Sequence, residues 1–168
     1  ALVASNGEII LIDDKFAYAS KAEIQDGLRA LGLDPNKVRY LIISHEHGDH
    51  DGGAYITQAA IPGVIVVYGT AAWPSVLART GPHATRHGPE NDGTDGRVIT
   101  SRDTSVKIIT YPGHTPGTVS MLVPVADNGR SHLLSFWGGS AIPRELGPAG
   151  QVGRMDAGML AYKQSFDR

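Results

Sequence analysis

Four side chains able to hold a transition metal stand within six residues: His45, His47, Asp49 and His50, in the run His45-Glu46-His47-Gly48-Asp49-His50-Asp51-Gly52-Gly53. On an extended backbone, residues two apart project to the same side. His45 and His47 can therefore face one point, while Asp49 and His50, past a turn at Gly48, face a second point beside it. Imidazole nitrogen and carboxylate oxygen are donors that suit zinc. A fifth candidate, His114, lies in Pro112-Gly113-His114-Thr115-Pro116-Gly117, a loop stiffened by two prolines. With His45 and His47 it would make a three-nitrogen set that leaves a fourth position for water. Zinc brings the pKa of such a water to about 7, so the chemistry expected is metal-assisted hydrolysis. A single histidine in a polar loop is ordinarily a surface residue. Three His and two Asp in seven residues, placed directly after an apolar strand, are a different case. Glu46, between two donors, points away by alternation and is expected to be solvated or to support a neighbour.

The elements that must carry these residues are short. Val38–Ser44 is apolar and reads as a buried strand that delivers the first motif. Val106–Tyr111 is the strand that delivers His114. Glu8–Asp13 and Gly63–Tyr68 read as further buried strands, and Val98–Thr100 as a short one. Thr118–Val125 and Ser131–Phe136 pair through the hairpin turn Asp127-Asn128-Gly129-Arg130. Ser20 and Glu23 have the spacing of a capping box. Ile24, Leu28 and Leu31 follow at helical spacing until Gly32 and Pro35 end the helix. Ala54–Ala60, Ala71–Arg79 and Met155–Asp167 are the other helix candidates. This alternation implies an α/β chain with a mixed sheet, in a single domain over 1–168.

Bulk composition narrows the function classes. Hydrophobic residues make up 41% of the 168 and charged residues 19%, enough for one core and far from a disordered composition. A formal charge of −2 with no Lys/Arg cluster argues against nucleic acid as a partner. No run approaches the roughly 20 apolar residues that cross a bilayer, and no signal peptide is visible, so no membrane role is expected. The absence of cysteine excludes disulfides and thiolate metal sites. It is compatible with periplasmic, secreted and cytoplasmic settings alike. The partner expected is a small-molecule substrate.

His-Glu-His-Gly-Asp-His-Asp-Gly-Gly and Gly-His-Thr-Pro-Gly-Thr together resemble the metallo-β-lactamase superfamily, in order and over most of the chain. The resemblance implies an αββα sandwich with one or two Zn2+ ions at an edge between the sheets. It implies His45, His47 and His114 as ligands of the first ion, and Asp49 and His50 as ligands of the second. Asp49 would also serve catalysis by orienting the attacking water and moving its proton. Asp13, closing Ile-Leu-Ile-Asp, resembles the family's early acidic residue; it either hydrogen-bonds a ligand or simply ends a strand. Two departures follow. Many members carry a bridging Asp in a Gly-Asp pair, where this chain has Trp137-Gly138-Gly139-Ser140-Ala141. Ser140 falls close to a serine of the subclass B3 type, either near the metal or without a role. The lack of a bridging acid argues against glyoxalase-II-like, ribonuclease-like and flavo-diiron-like readings. The family's last ligand is a histidine beyond one more helix and strand, and no histidine follows His132. The fold is therefore expected to be C-terminally incomplete.

The function implied is a zinc-dependent hydrolase in which hydroxide generated at the metal attacks a β-lactam, a lactone or another ester or amide. The alternative is a metal-binding but catalytically weak or inactive fragment or degenerate member. An unpaired strand edge in an incomplete fold leads to the expectation of a homo-oligomer. His83, His87 and His132 are expected to be solvated, and Tyr68, Trp73 and Trp137 to pack rather than bind.

Overall fold

The structure is a computed structural model and describes residues 1–139 and 163–165. Two sheets are built from nine strands among these residues. The first has the order β1 (Leu2–Val3), β2 (Ile9–Ile12), β3 (Val38–Ile43), β4 (Ile65–Gly69), β5 (Asp92–Gly93). β1 is antiparallel to β2, and the other pairs are parallel. The second sheet is antiparallel throughout, in the order β6 (Val98–Ser101), β7 (Thr104–Thr110), β8 (Val119–Asp127), β9 (Arg130–Phe136).

Parallel strands covered on both faces read as continuous apolar runs, because neither side of the pleat meets water. In β2, Ile9 and Leu11 face one way and Ile10 and Ile12 the other; Val66 and Tyr68 alternate with Ile65 and Val67 in β4. One face packs against helices through Leu28, Ala54, Trp73 and Val76. The other meets Ile99, Val106, Ile108, Val119, Met121 and Val123 of the second sheet. Helix, sheet and sheet thus form three successive layers, and the strand ends that carry His45 and His114 emerge along one edge between the two sheets.

The helices are α1 (Ala17–Ala19), which continues through the wide-turned stretch Ser20–Gln25 into α2 (Asp26–Ala30), then α3 (Gly48–Asp51), α4 (Ala54–Ala60) and α5 (Trp73–Leu77). The first begins earlier than the capping box implies. Phe16 takes the extended cap conformation, and Ser20, fully buried, donates from Oγ to Asp14 Oδ1 at 2.9 Å. A buried carboxylate at 14 needs donors, and that need takes Ser20 away from a helix terminus. The hairpin forms at the expected turn, with Asn128 and Gly129 both at positive φ, as a tight two-residue turn requires. The predicted helix Met155–Asp167 lies outside the described residues except for 163–165, which are helical. Ser140 also lies outside them.

Candidate metal centre

β3 ends at Ile43, and the chain turns through Ser44 and His45 into α3. Three links hold this corner. Val119 N, at the start of β8, donates to Ser44 O at 2.8 Å and so joins the two sheets at the site. Asp13 Oδ1 accepts from Ser44 N at 2.7 Å, and Oδ2 from Ser44 Oγ at 2.9 Å. His45 Nδ1 lies 2.8 Å from Gly138 O. A carbonyl only accepts, so Nδ1 carries the proton and Nε2 is left as a lone-pair donor.

Nitrogens of three rings converge. His114 Nε2 is 3.1 Å from His45 Nε2 and 3.0 Å from His47 Nδ1. The donor atoms of His45, His47 and His114 all lie within 4.8 Å of one another, as do those of His45, Asp49 and His50. A four-coordinate ion with bonds of about 2.1 Å separates its ligand nitrogens by about 3.4 Å. Three imidazole lone pairs pointed at one another at these distances repel unless a proton or a cation stands between them, so the first donor set fits a metal ion. Burial, reinforced by the neighbouring His50 and His114, lowers the pKa of His45 to about 4. The ring is thus neutral at pH 7, the form in which it ligates.

The second donor set is organised by Asp13. His50 Nδ1 lies 2.8 Å from Asp13 Oδ2, which fixes the ring so that Nε2 faces Asp49 Oδ2 at 3.5 Å. That hydrogen bond raises the His50 pKa against the opposing effect of burial. Asp13 sits at φ 61° and Lys15 at φ 62°, a left-handed conformation that costs about 1–2 kcal/mol for a residue with a Cβ. Three hydrogen bonds to one carboxylate hold Asp13 there. Asp49 itself is half exposed and lines a cleft of about 490 Å³ together with the stacked rings of Phe16 and Tyr18.

All five motif residues come together. Asp13 comes with them, as the partner of His50 and of the Ser44 backbone. His83 and His87 make only local contacts, and His132 lies exposed on β9. Tyr68 and Trp73 are buried, in edge-to-face contact; Trp137 is half exposed, over Tyr111. Two features escaped the sequence reading. Gly138 and Gly139 press against the site: a Cβ on Gly138 would collide with Val119 O, and one on Gly139 would come within 2.8 Å of the His114 ring. Paired glycines after an apolar strand were the available signal. Glu46 supports a neighbour, one of the two roles expected of it, but does so by turning inward to Thr115, which alternation does not imply.

Comparison with known proteins identifies the family and the fold. A family model described as the metallo-beta-lactamase superfamily matches residues 1–127. No curated protein sequence matches the chain. A subclass B3 metallo-β-lactamase of Bradyrhizobium japonicum superposes with a TM-score of 0.78 at 22% identity, over 98% of this chain and 64% of that one. A metallo-β-lactamase from Legionella gormanii gives 0.79 at 17% identity, over 98% and 65%. One from Novosphingobium pentaromativorans gives 0.80 at 20%, over 99% and 64%. The fold is the αββα sandwich of these structures, and the chain spans about two thirds of their length, with three of the four layers seen among the described residues. No helix among the described residues is long and apolar enough to cross a membrane.

Proposed function

Because the chain belongs to the metallo-β-lactamase superfamily, we propose that it is a zinc-dependent hydrolase acting on a small carbonyl substrate, with β-lactams and lactones the first classes to assay. The observation that carries this reading is the convergence of His45 Nε2, His47 Nδ1 and His114 Nε2 at an open edge of the sandwich. These three would hold the first ion, and Asp49 and His50 a second. Zinc bound there supplies Lewis acidity, which acidifies water and polarises a carbonyl.

The chain's own groups have separate tasks. The Gly138 carbonyl holds His45 in the tautomer that leaves Nε2 free, and Asp13 does the same for His50. Asp49 is a half-exposed carboxylate that lines the cleft beside His50. Its carboxylate orients water against the substrate carbonyl, takes the proton that the water loses and returns it to the departing nitrogen or oxygen. The lean toward β-lactams rests on the solved relatives, which are metallo-β-lactamases.

A second reading is metal binding with weak turnover or none. It is favoured by the second donor set, in which Asp49 and His50 stand with a His45 that the first set also uses. The test is zinc stoichiometry measured beside hydrolysis of β-lactam, lactone and thioester substrates, with zinc added and with it chelated. Chelator-sensitive hydrolysis supports the enzyme. Stoichiometric zinc with no hydrolysis of any substrate supports the second reading. Asp49→Asn is expected to lower turnover more than first-site zinc affinity; an equal loss of both would take the proton-handling role away from Asp49.

A further inference from the structure

Glu46 sits between two proposed ligands, yet its carboxylate engages the segment that carries the third. Thr115 Oγ1 donates to Glu46 Oε2 at 2.6 Å, and Thr115 is the residue after His114. A carboxylate only accepts, so the Thr115 proton is committed to Glu46. Thr118 Oγ1, 3.0 Å from Thr115 Oγ1, must then donate to it, while accepting from Thr115 N at 2.9 Å. The three side chains form one directed chain of hydrogen bonds, in which each bond polarises the next. Ser75 Oγ lies 3.3 Å from the other oxygen, Glu46 Oε1.

The backbone of Glu46 is anchored as well. Arg79 Nη2 donates to Glu46 O at 2.5 Å, and Arg79 Nη1 pairs with Asp51 Oδ2 at 2.7 Å. The Asp51 side chain is fully buried, and Tyr68 OH donates to the same oxygen at 3.3 Å. One guanidinium thereby grips the metal loop at positions 46 and 51, just inside and just beyond the span of donors from His45 to His50. A planar fork with several fixed donors can do this; a single ammonium point charge cannot reproduce the geometry.

We infer that Glu46 is a positioning residue: through the Thr115 hydroxyl it straps the His45–His47 segment to the His114 loop and sets the spacing of the three imidazole nitrogens before metal arrives. The inference rests on the proposed metal centre. Its energetic basis is preorganisation, since two loops more than sixty residues apart in sequence must otherwise be ordered at the expense of binding free energy.

The test compares Thr115→Val, Thr115→Ser, Glu46→Ala and Glu46→Gln with the unaltered chain. Zinc affinity is read by chelator competition, ligand geometry by the visible spectrum of the Co(II) form, and folding by the melting temperature of the metal-free protein. Thr115→Val and Glu46→Ala are expected to weaken zinc by about 10–100-fold, the usual size of a lost partner behind the ligands, and to shift the Co(II) bands. Thr115→Ser keeps the hydroxyl, and Glu46→Gln keeps an acceptor oxygen; both should restore most of the affinity. Metal-free stability should fall by less free energy than zinc binding loses, since the strap is one hydrogen bond of the metal-free fold. Unchanged zinc affinity in Thr115→Val and Glu46→Ala overturns the strap. So does a loss that Thr115→Ser shares, or one matched by a fall in metal-free stability. If the unaltered chain fails to bind zinc in the same assay, the metal centre fails and takes the strap with it.

Discussion

Two loops of this chain are rich in histidine, and they are built in opposite ways. In the first, two rings are held by residues distant in sequence, His45 by Gly138, 93 positions away, and His50 by Asp13, 37 away; His47 and His114, 67 apart, meet nitrogen to nitrogen at the shared point. In the second, His83 meets Gly81 O and His87 meets Thr85 Oγ1, each two positions away. That second loop is not loose. Ala84 is buried in the core beneath it, and Thr85 N donates to Gln58 Oε1 at 2.8 Å. With Ala84 and Thr85 taking the inward contacts, the two rings stay near the surface and bond only to Gly81 and Thr85 among the described residues. Histidines become a candidate metal centre when tertiary contacts occupy one ring nitrogen, as at His45 and His50, and aim the other at a shared point.

The comparison breaks first at the rings themselves. His45→Ala and His114→Ala should each lower zinc affinity by at least about a hundredfold, given the ~10–16 kcal/mol that a structural zinc shares among its ligands. His83→Ala and His87→Ala should leave it unchanged. Chelator competition on the four variants is the measurement; equal losses in all four would mean that the wrong loop has been assigned.

Removing the metal probes the same contrast through stability. A ligand present at a thousand times its dissociation constant stabilises the folded state by about 4 kcal/mol. Zinc should therefore raise the melting temperature, and a chelator should reverse the rise. The gain should persist in His83→Ala and disappear in His114→Ala. Identical melting curves with and without zinc would show that the rings bind no ion tightly.

A smaller effect sharpens the view that remote partners aim the rings. Asp13→Ala removes the acceptor that fixes His50, while leaving both donors of the second set in place. It should weaken the second zinc by about 10–100-fold and leave the first within a factor of about two, a readout that stepwise zinc titration resolves. If both sites weaken together, Asp13 supports the whole corner through Ser44 rather than His50 in particular.

Much of this was legible in the chain. β3 and β4 are largely apolar runs that had to be buried, β7 buries Val106 and Ile108 by alternation, and candidate metal donors follow β3 and β7 at spacings that ordinary loops do not produce. Where the reading went astray, the reason was a partner that local pattern does not reveal. Ser20 and Glu23 have capping-box spacing, but Ser20 serves Asp14, and the helix starts at Ala17. Period-two alternation put Glu46 on the outside, but the backbone leaves the strand conformation after Ile43, and the side chain turns to Thr115.

The donor set itself was a property of the sequence, because His45, His47, Asp49 and His50 are too close together for any backbone to carry them far apart. Which nitrogen of His45 and of His50 faces the site, how near His114 comes, and what Glu46, Arg79 and Asp51 do were decided only by the tertiary structure. Each depends on a hydrogen bond between residues about thirty or more positions apart, such as Arg79 with Asp51 or Thr115 with Glu46. Such a bond forms only once the packing of β2, β3 and β8 and the docking of α5 have brought its ends together.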